Sequence, residues 1–245
     1  MLSYIFLGIV QGIFEWIPIS SEGIVALCSN FLLKDINPVD IALFLHLGTL
    51  FAVLVYFRKD WKEILTLRNP RLLRFLVLTT FISLVVGYPL YKLIREVAIG
   101  SGIMIVMGFG LLFTAYFNKF KKFSGIGFNK LAIVTGFLQG LSVIPGLSRS
   151  GSTIFGLSLG ENNPSQILKI SYIISAPVVL ASSAYLFLEN PSLVYSSLLS
   201  LIFSFLTGFL TLKFLFKIAG KINFFGFALI FSLLCFLGAA IGFII

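Results

Sequence analysis

Gln11-Gly12-Ile13-Phe14-Glu15-Trp16-Ile17-Pro18-Ile19-Ser20-Ser21-Glu22-Gly23 is a polar interruption between two apolar runs. Gln139-Gly140-Leu141-Ser142-Val143-Ile144-Pro145-Gly146-Leu147-Ser148-Arg149-Ser150-Gly151 interrupts the second half of the chain at the corresponding place. An ionised side chain near the centre of a bilayer costs roughly 2.5–3.5 kcal/mol even on the lenient insertion scale. Glu15 and Arg149 therefore need each other, a water-filled cavity or a ligand. The runs flanking Pro18, at 2–17 and 21–33, and those flanking Pro145-Gly146, at 129–144 and 147–159, are shorter than the ~20 residues that cross the hydrocarbon. Each pair reads as a re-entrant helix-turn-helix, broken where proline cannot continue a helix.

Working outward, apolar runs at 39–57, 72–91, 100–118, 166–188, 192–213 and 223–245 are long enough to cross a membrane. Each half is then one hairpin followed by three spans. The chain reads as a single membrane domain, 1–245, made of repeat one, 1–118 with hairpin 2–33, and repeat two, 129–245 with hairpin 129–159. An odd number of crossings turns the second repeat upside down, so the hairpins enter from opposite faces and meet near the midplane. The expected fold is an all-α polytopic membrane protein with six transmembrane helices plus two re-entrant hairpins in an inverted repeat.

Composition agrees with that reading. Of 245 residues, 58% are hydrophobic and 11% charged, with a mean hydropathy of +1.06. That leaves too little polar surface to cover a soluble globule of this size. The net charge of +9 does not point to nucleic acid, because the basic residues sit in short gaps between apolar runs. Arg58, Lys59, Lys62, Arg68, Arg71, Arg74, Lys119, Lys121, Lys122, Lys130, Lys169, Lys213, Lys217 and Lys221 fall on one side of the expected topology. Only Lys34, Lys92 and Arg95 fall on the other. The positive-inside rule makes the first side cytoplasmic and puts both termini outside. The N-terminal run lacks a basic n-region and a small-residue cleavage site, so it is read as retained. Cys28 and Cys235 have no disulfide or metal-ligand spacing and read as small buried hydrophobes.

The second hairpin carries anion-binding chemistry. Ser148-Arg149-Ser150-Gly151-Ser152-Thr153 opens a helix, and a helix start with unpaired N–H groups, a guanidinium and hydroxyls suits phosphate. Small residues there also permit close helix packing, which is the plainer account of the serines taken alone. In the first hairpin Gln11 and Glu15 lie one turn apart on one helix face, while Ser20, Ser21 and Glu22 start the next helix. Glu22 is equally well explained as an acidic residue favourable to the helix dipole. Phosphoryl transfer needs positive charge on the equatorial oxygens, an aligned nucleophile and help with its proton or a metal ion. The two hairpins together supply these parts. His46, the one histidine, sits at the start of a span with no local partner and is read as a packing or interfacial residue outside the site.

Gln11 with Glu15, then Pro18-Ile19-Ser20-Ser21 and Gly23, resembles the first motif of the undecaprenyl-pyrophosphate phosphatase family, also called the bacitracin-resistance family. Pro145 to Thr153 resembles its second motif almost residue for residue, and the likeness continues through His46 to Leu50, Tyr56 to Arg58 and Ser171 to Pro177. The resemblance implies a membrane phosphatase that takes the terminal phosphate from a long-chain polyprenyl diphosphate and leaves the monophosphate carrier lipid of cell-envelope assembly. It also implies roles. Ser21 would be the nucleophile, Glu15 and Gln11 the pair assisting it or its divalent metal ion, Mg2+ or Ca2+, and Arg149 the phosphate-binding arginine. Ser20, Ser148, Ser150, Gly151 and Thr153 would be their neighbours in substrate binding. Two positions depart from the pattern: Ile24 stands where the family usually has a histidine, and Glu22 where threonine is common. Proton handling would then fall to Glu15, Glu22 or a metal ion. Inverted repeats with broken helices are also transporter architecture, so a lipid-phosphate flippase is the alternative. Transport needs the cation, whereas hydrolysis also needs Glu15 and Ser21.

Overall fold

The computed structural model describes residues 1–17, 21–33, 38–93, 105, 108, 109, 112, 126–143, 147–189, 191–221 and 223–244. Among these, every regular element is an α-helix. In chain order they are α1 (Leu2–Phe14), α2 (Ser21–Leu32), α3 (Pro38–Tyr56), α4 (Arg58–Leu65), α5 (Pro70–Leu93), α6 (Phe128–Leu141), α7 (Arg149–Ser158), α8 (Pro164–Glu189), α9 (Pro191–Ala219) and α10 (Phe224–Ile244). Both expected breaks, Pro18 and Pro145-Gly146, lie outside the described residues. So does the expected span 100–118 apart from Ile105, Gly108, Phe109 and Leu112.

Among the described residues, four helices are long and apolar enough to cross a bilayer: Pro70–Tyr91, Pro164–Leu188, Ser197–Ala219 and Phe225–Phe243. The chain is a multi-pass membrane protein. The third helix joins them only as part of a bent pair, since Asp40–Tyr56 turns by 81° into Arg58–Leu65. This short α4 has no counterpart in the sequence reading, which ended the span at 57 and took what followed as loop. Arg58, Lys59, Lys62 and Glu63 are exposed, while Ile64 is buried on the inner face that it shares with Asp60 one turn earlier. Lys169 Nζ on α8 donates to Asp60 Oδ1 at 2.9 Å and ties it down. By contrast α1, α2, α6 and α7 run 13, 12, 14 and 10 residues. At 1.5 Å per residue none reaches the ~30 Å of hydrocarbon.

Each short pair packs on a long helix from the other half of the chain: α1 lies chiefly on α9, and α6 chiefly on α5. Small residues make both contacts close. A Cβ on Gly12 would lie 2.9 Å from Ser204 O and nearer still to Thr207 Oγ1 and Gly208 N, while one on Gly136 would lie 2.7 Å from Thr79 O and 3.0 Å from Ile82 Cβ. In lipid, where apolar surface gives no net drive for one helix to prefer another, such close approach and interhelical hydrogen bonds do the holding. Ser204 Oγ donates to Leu45 O at 3.0 Å and Thr211 Oγ1 to Gly12 O at 2.7 Å.

These seams set the spacing of the structure, so Gly136→Ala is expected to destabilise the protein by about 1–3 kcal/mol through overpacking. Gly220→Ala, where an added Cβ would meet nothing nearer than Phe216 O at 3.5 Å, is expected to change stability by no more than ~0.5 kcal/mol. Unfolding in mixed micelles measures both; equal effects would contradict the close-contact account.

Candidate active site

Glu15 caps the C-terminal end of α1 and is 4% exposed. Its position is fixed from behind by Trp16, whose buried indole donates through Nε1 to Gly208 O at 2.9 Å and Thr211 Oγ1 at 3.0 Å. The Trp16 carbonyl in turn accepts from Tyr172 OH at 2.7 Å, and the two rings meet edge to face with centroids 5.0 Å apart. The next carbonyl, Ile17 O, accepts from Ser150 Oγ at 2.9 Å. Helix ends leave their last carbonyls without intrahelical partners. Here Thr211 of α9 donates to Gly12 O in the last turn, and Tyr172 of α8 and Ser150 of α7 donate to the two carbonyls just past the helix, so the α1 end is anchored to the second half of the chain.

Four groups converge on the Glu15 carboxylate. Its Oε2 accepts from Gln11 Nε2 at 2.7 Å and from Ser21 Oγ at 2.9 Å, and lies 3.1 Å from His46 Nε2. Its Oε1 is paired with Arg149 Nη2. The expected meeting of Glu15 with Arg149 thus occurs, with Ser21 on the same carboxylate. Arg149 is the first residue of α7, which Ser148 caps by accepting from Gly151 N at 3.3 Å. The guanidinium sits at the positive end of that helix. Its Nη1 is buried without a hydrogen-bond partner.

A small cleft opens here, lined by Glu15, Ser21, Glu22, His46, Ser142, Leu147, Ser148, Arg149 and Ser150. Several expected site residues stand on its wall and others behind it. Gln11 is fully buried beside Glu15; Gly151 is spent on the cap; Thr153 Oγ1 reaches Arg149 O at 3.0 Å and Ser171 Oγ at 2.6 Å. These three orient the lining groups and do not line the cleft themselves. Ser20 lies outside the described residues. Ile24 packs into the apolar cluster that includes Leu7, Val10, Val25 and Ile41.

The placement of His46 outside the site is corrected by the structure. Nothing near it in sequence is a partner except its own helix, where Nδ1 meets Ala42 O at 2.8 Å. Its functional neighbour, Glu15, comes from another helix, and α3 packs against both α1 and α2. Glu22, equally well read as a helix-start acid, also reaches the cleft. A signal was available for it in the one-residue step from Ser21; for His46 the one signal was its place in the stretch His46 to Leu50, which also resembles the family.

A divalent cation held by Glu15 and Gln11 fits this arrangement poorly. Gln11 Oε1 is a buried oxygen without a partner and is free to ligate. Both Glu15 oxygens, however, already face hydrogen-bond donors, one of them a guanidinium standing where a cation would bind. Hard cations ask for about six oxygens or more, and among the described residues no three His, Cys, Asp or Glu side chains form a ligand cluster.

Comparison with known proteins adds a family to this geometry. A protein from Methanococcoides burtonii named undecaprenyl-diphosphatase is 32% identical over 242 residues, which cover 90% of this chain and 91% of that relative. Proteins of the same name from Haloarcula marismortui and Sulfurisphaera tokodaii are 31% and 34% identical, covering 95% and 91% of this chain and 94% and 91% of their own lengths. Residues 4–237 match the family described as Bacitracin resistance protein BacA. A match of that extent, taking in both polar segments and the helices around them, establishes that this chain belongs to the BacA family.

Proposed function

We propose that this protein is an undecaprenyl-diphosphate phosphatase, which removes the terminal phosphate of a long-chain polyprenyl diphosphate and releases the lipid monophosphate. The observation that carries the reading is the Glu15 carboxylate, which receives a serine hydroxyl on one oxygen and an arginine on the other. The names of its BacA relatives supply the substrate.

In this mechanism the terminal phosphate enters the cleft at the start of α7. Arg149 Nη1, unsatisfied within the protein, and the positive helix end hold its oxygens. Ser21 Oγ attacks the terminal phosphorus. The Oγ–H proton passes to Glu15 Oε2, the oxygen electron pair forms the Oγ–P bond, and the bond from phosphorus to the bridging oxygen breaks with its electrons going to the departing prenyl monophosphate. The Glu15 proton then goes to that leaving group. Water next attacks the phosphoserine and gives its proton to Glu15, which returns one to Ser21 Oγ as phosphate leaves. The apolar tail lies outside the cleft, between helices and in lipid. Most of the rate enhancement in such a site comes from positioning and preorganised charge.

The proposal includes the topology that the positive-inside rule suggests: six spans and two re-entrant hairpins in the cell membrane, with both termini outside. It also takes the chain as two inverted repeats, 1–118 and 129–245. The reciprocal packing of α1 on α9 and of α6 on α5, each through small residues, supports that division. A divalent ion, Mg2+ or Ca2+, enters this account as a companion of the diphosphate; no step above passes through it.

Phosphate release from a C55 polyprenyl diphosphate by purified protein tests the reading. Wild type is expected to turn over, Ser21→Ala to fall to background, and Arg149→Ala to lose about 10²–10³-fold, the scale seen when a preorganised electrostatic partner is removed. Arg149→Lys should recover little, because lysine lacks the planar fork that bridges two phosphate oxygens. Wild-type release no faster than that of Ser21→Ala, with the lipid still bound, would replace the phosphatase with a lipid-phosphate carrier.

The same assay decides where a cation sits. If it travels with the diphosphate, Gln11→Ala and wild type need the same Mg2+ concentration for half-maximal rate. A requirement raised about tenfold or more in Gln11→Ala would return the ion to the Glu15–Gln11 pair, since loss of a supporting ligand costs 10–100-fold in affinity.

A further inference from the structure

We propose that His46 on α3 is a positioning residue for the proposed reaction, holding the proton that keeps Glu15 open as the acceptor of the Ser21 proton. The inference rests on the phosphatase reading and adds to it a residue that neither sequence motif contains.

Hydrogen-bond geometry fixes the imidazole. Ala42 O, 2.8 Å from His46 Nδ1, is a carbonyl and can only accept, so Nδ1 carries a hydrogen. The other ring nitrogen, Nε2, points at Glu15 Oε2 from 3.1 Å. If the ring were neutral, the Nε2 lone pair would face a carboxylate lone pair across that distance. One proton must therefore lie between the two groups.

Where it lies matters for Ser21, whose Oγ is 2.9 Å from the same Oε2. A proton on Oε2 would leave that oxygen unable to take the one from the serine. A proton on Nε2 leaves Oε2 as an acceptor with a cation at its back. In the reaction written above, Glu15 receives one proton and gives one up in each half, while His46 keeps its own throughout. The balance is unchanged, and the imidazole sets which oxygen accepts. Arg149 cannot take this role, because it engages the opposite oxygen, Oε1. Nor can Ile24, the residue that replaces the histidine usual in the family, since it lies in an apolar cluster. Glu22 also lines the cleft.

A merely structural His46 would serve as a hydrogen-bond prop. Glutamine at this position has a comparable length and an N–H to offer Glu15, but it places no positive charge behind Oε2. The test measures kcat and KM for release of phosphate from C55 polyprenyl diphosphate by wild type, His46→Gln and His46→Ala, each first checked for monodisperse elution in detergent. The expected result is a kcat lower by about 10²-fold in both variants, the lower end of what is lost when a preorganised electrostatic partner is removed, with KM within about threefold of wild type. His46→Gln at wild-type kcat beside a slow His46→Ala would reduce the residue to a prop and overturn the proposal, as would two variants as fast as wild type. A wild-type protein that releases no phosphate would instead sink the phosphatase reading itself.

Discussion

The pair between Glu15 and Arg149 is the constraint around which the rest of this protein is arranged. Two ionised groups in a membrane-embedded core each carry a desolvation cost of several kcal/mol, and removing one partner of a buried pair typically costs about 3–5 kcal/mol because the other is left uncompensated. The two residues are far apart in sequence and end different helices. Holding them together requires that α1 and α7 be fixed to a common frame. The seam of α1 against α9, the indole of Trp16 on Gly208 and Thr211, and the reach of Tyr172 and Ser150 to the carbonyls of Trp16 and Ile17 do so. Rigidity at this point follows from hydrogen bonds to backbone, which tolerate little displacement.

The two pairs of short helices bring different chemistry to one cleft. The first supplies the carboxylate and hydroxyl, Glu15 and Ser21; the second supplies the cation and the helix start, Arg149 capped by Ser148. Their glutamines show the same divergence. Gln11 turns its amide to Glu15 at 2.7 Å, whereas Gln139, at the corresponding place, donates to Ile174 O at 3.3 Å on α8. That backbone lies in the stretch where Pro177 removes an N–H from the helix ladder. A motif used in the first pair to steer a reactive carboxylate is used in the second to brace a helix.

Much of this was legible in sequence because membranes impose simple rules. The shortness of the four hairpin runs could be counted, and their helices begin and end within a few residues of the expected limits. The charges of Glu15 and Arg149 stood out because a bilayer makes such residues rare. What escaped was whatever depends on which helix lies beside which. The carboxylate partner of His46 comes from α1, which no local pattern could indicate. Gln11 and Thr153 were read as part of the site, and spacing could not say that they stand behind the lining of the cleft. Helix α4 was missed for another reason: eight residues rich in charge read as loop when only apolar runs are sought, although Ile64 on its inner face is buried.

The central claim is that residues of both pairs of short helices hold one phosphate between them. The most direct measurement is an experimental structure of the protein with a non-hydrolysable prenyl diphosphonate in a lipid nanodisc. The account predicts the terminal phosphonate within hydrogen-bond distance of both Arg149 and Ser21 Oγ, with Glu15 on the far side of that hydroxyl and the prenyl chain leaving between helices. A diphosphonate bound elsewhere, or held by Arg149 with Ser21 out of reach, would contradict it.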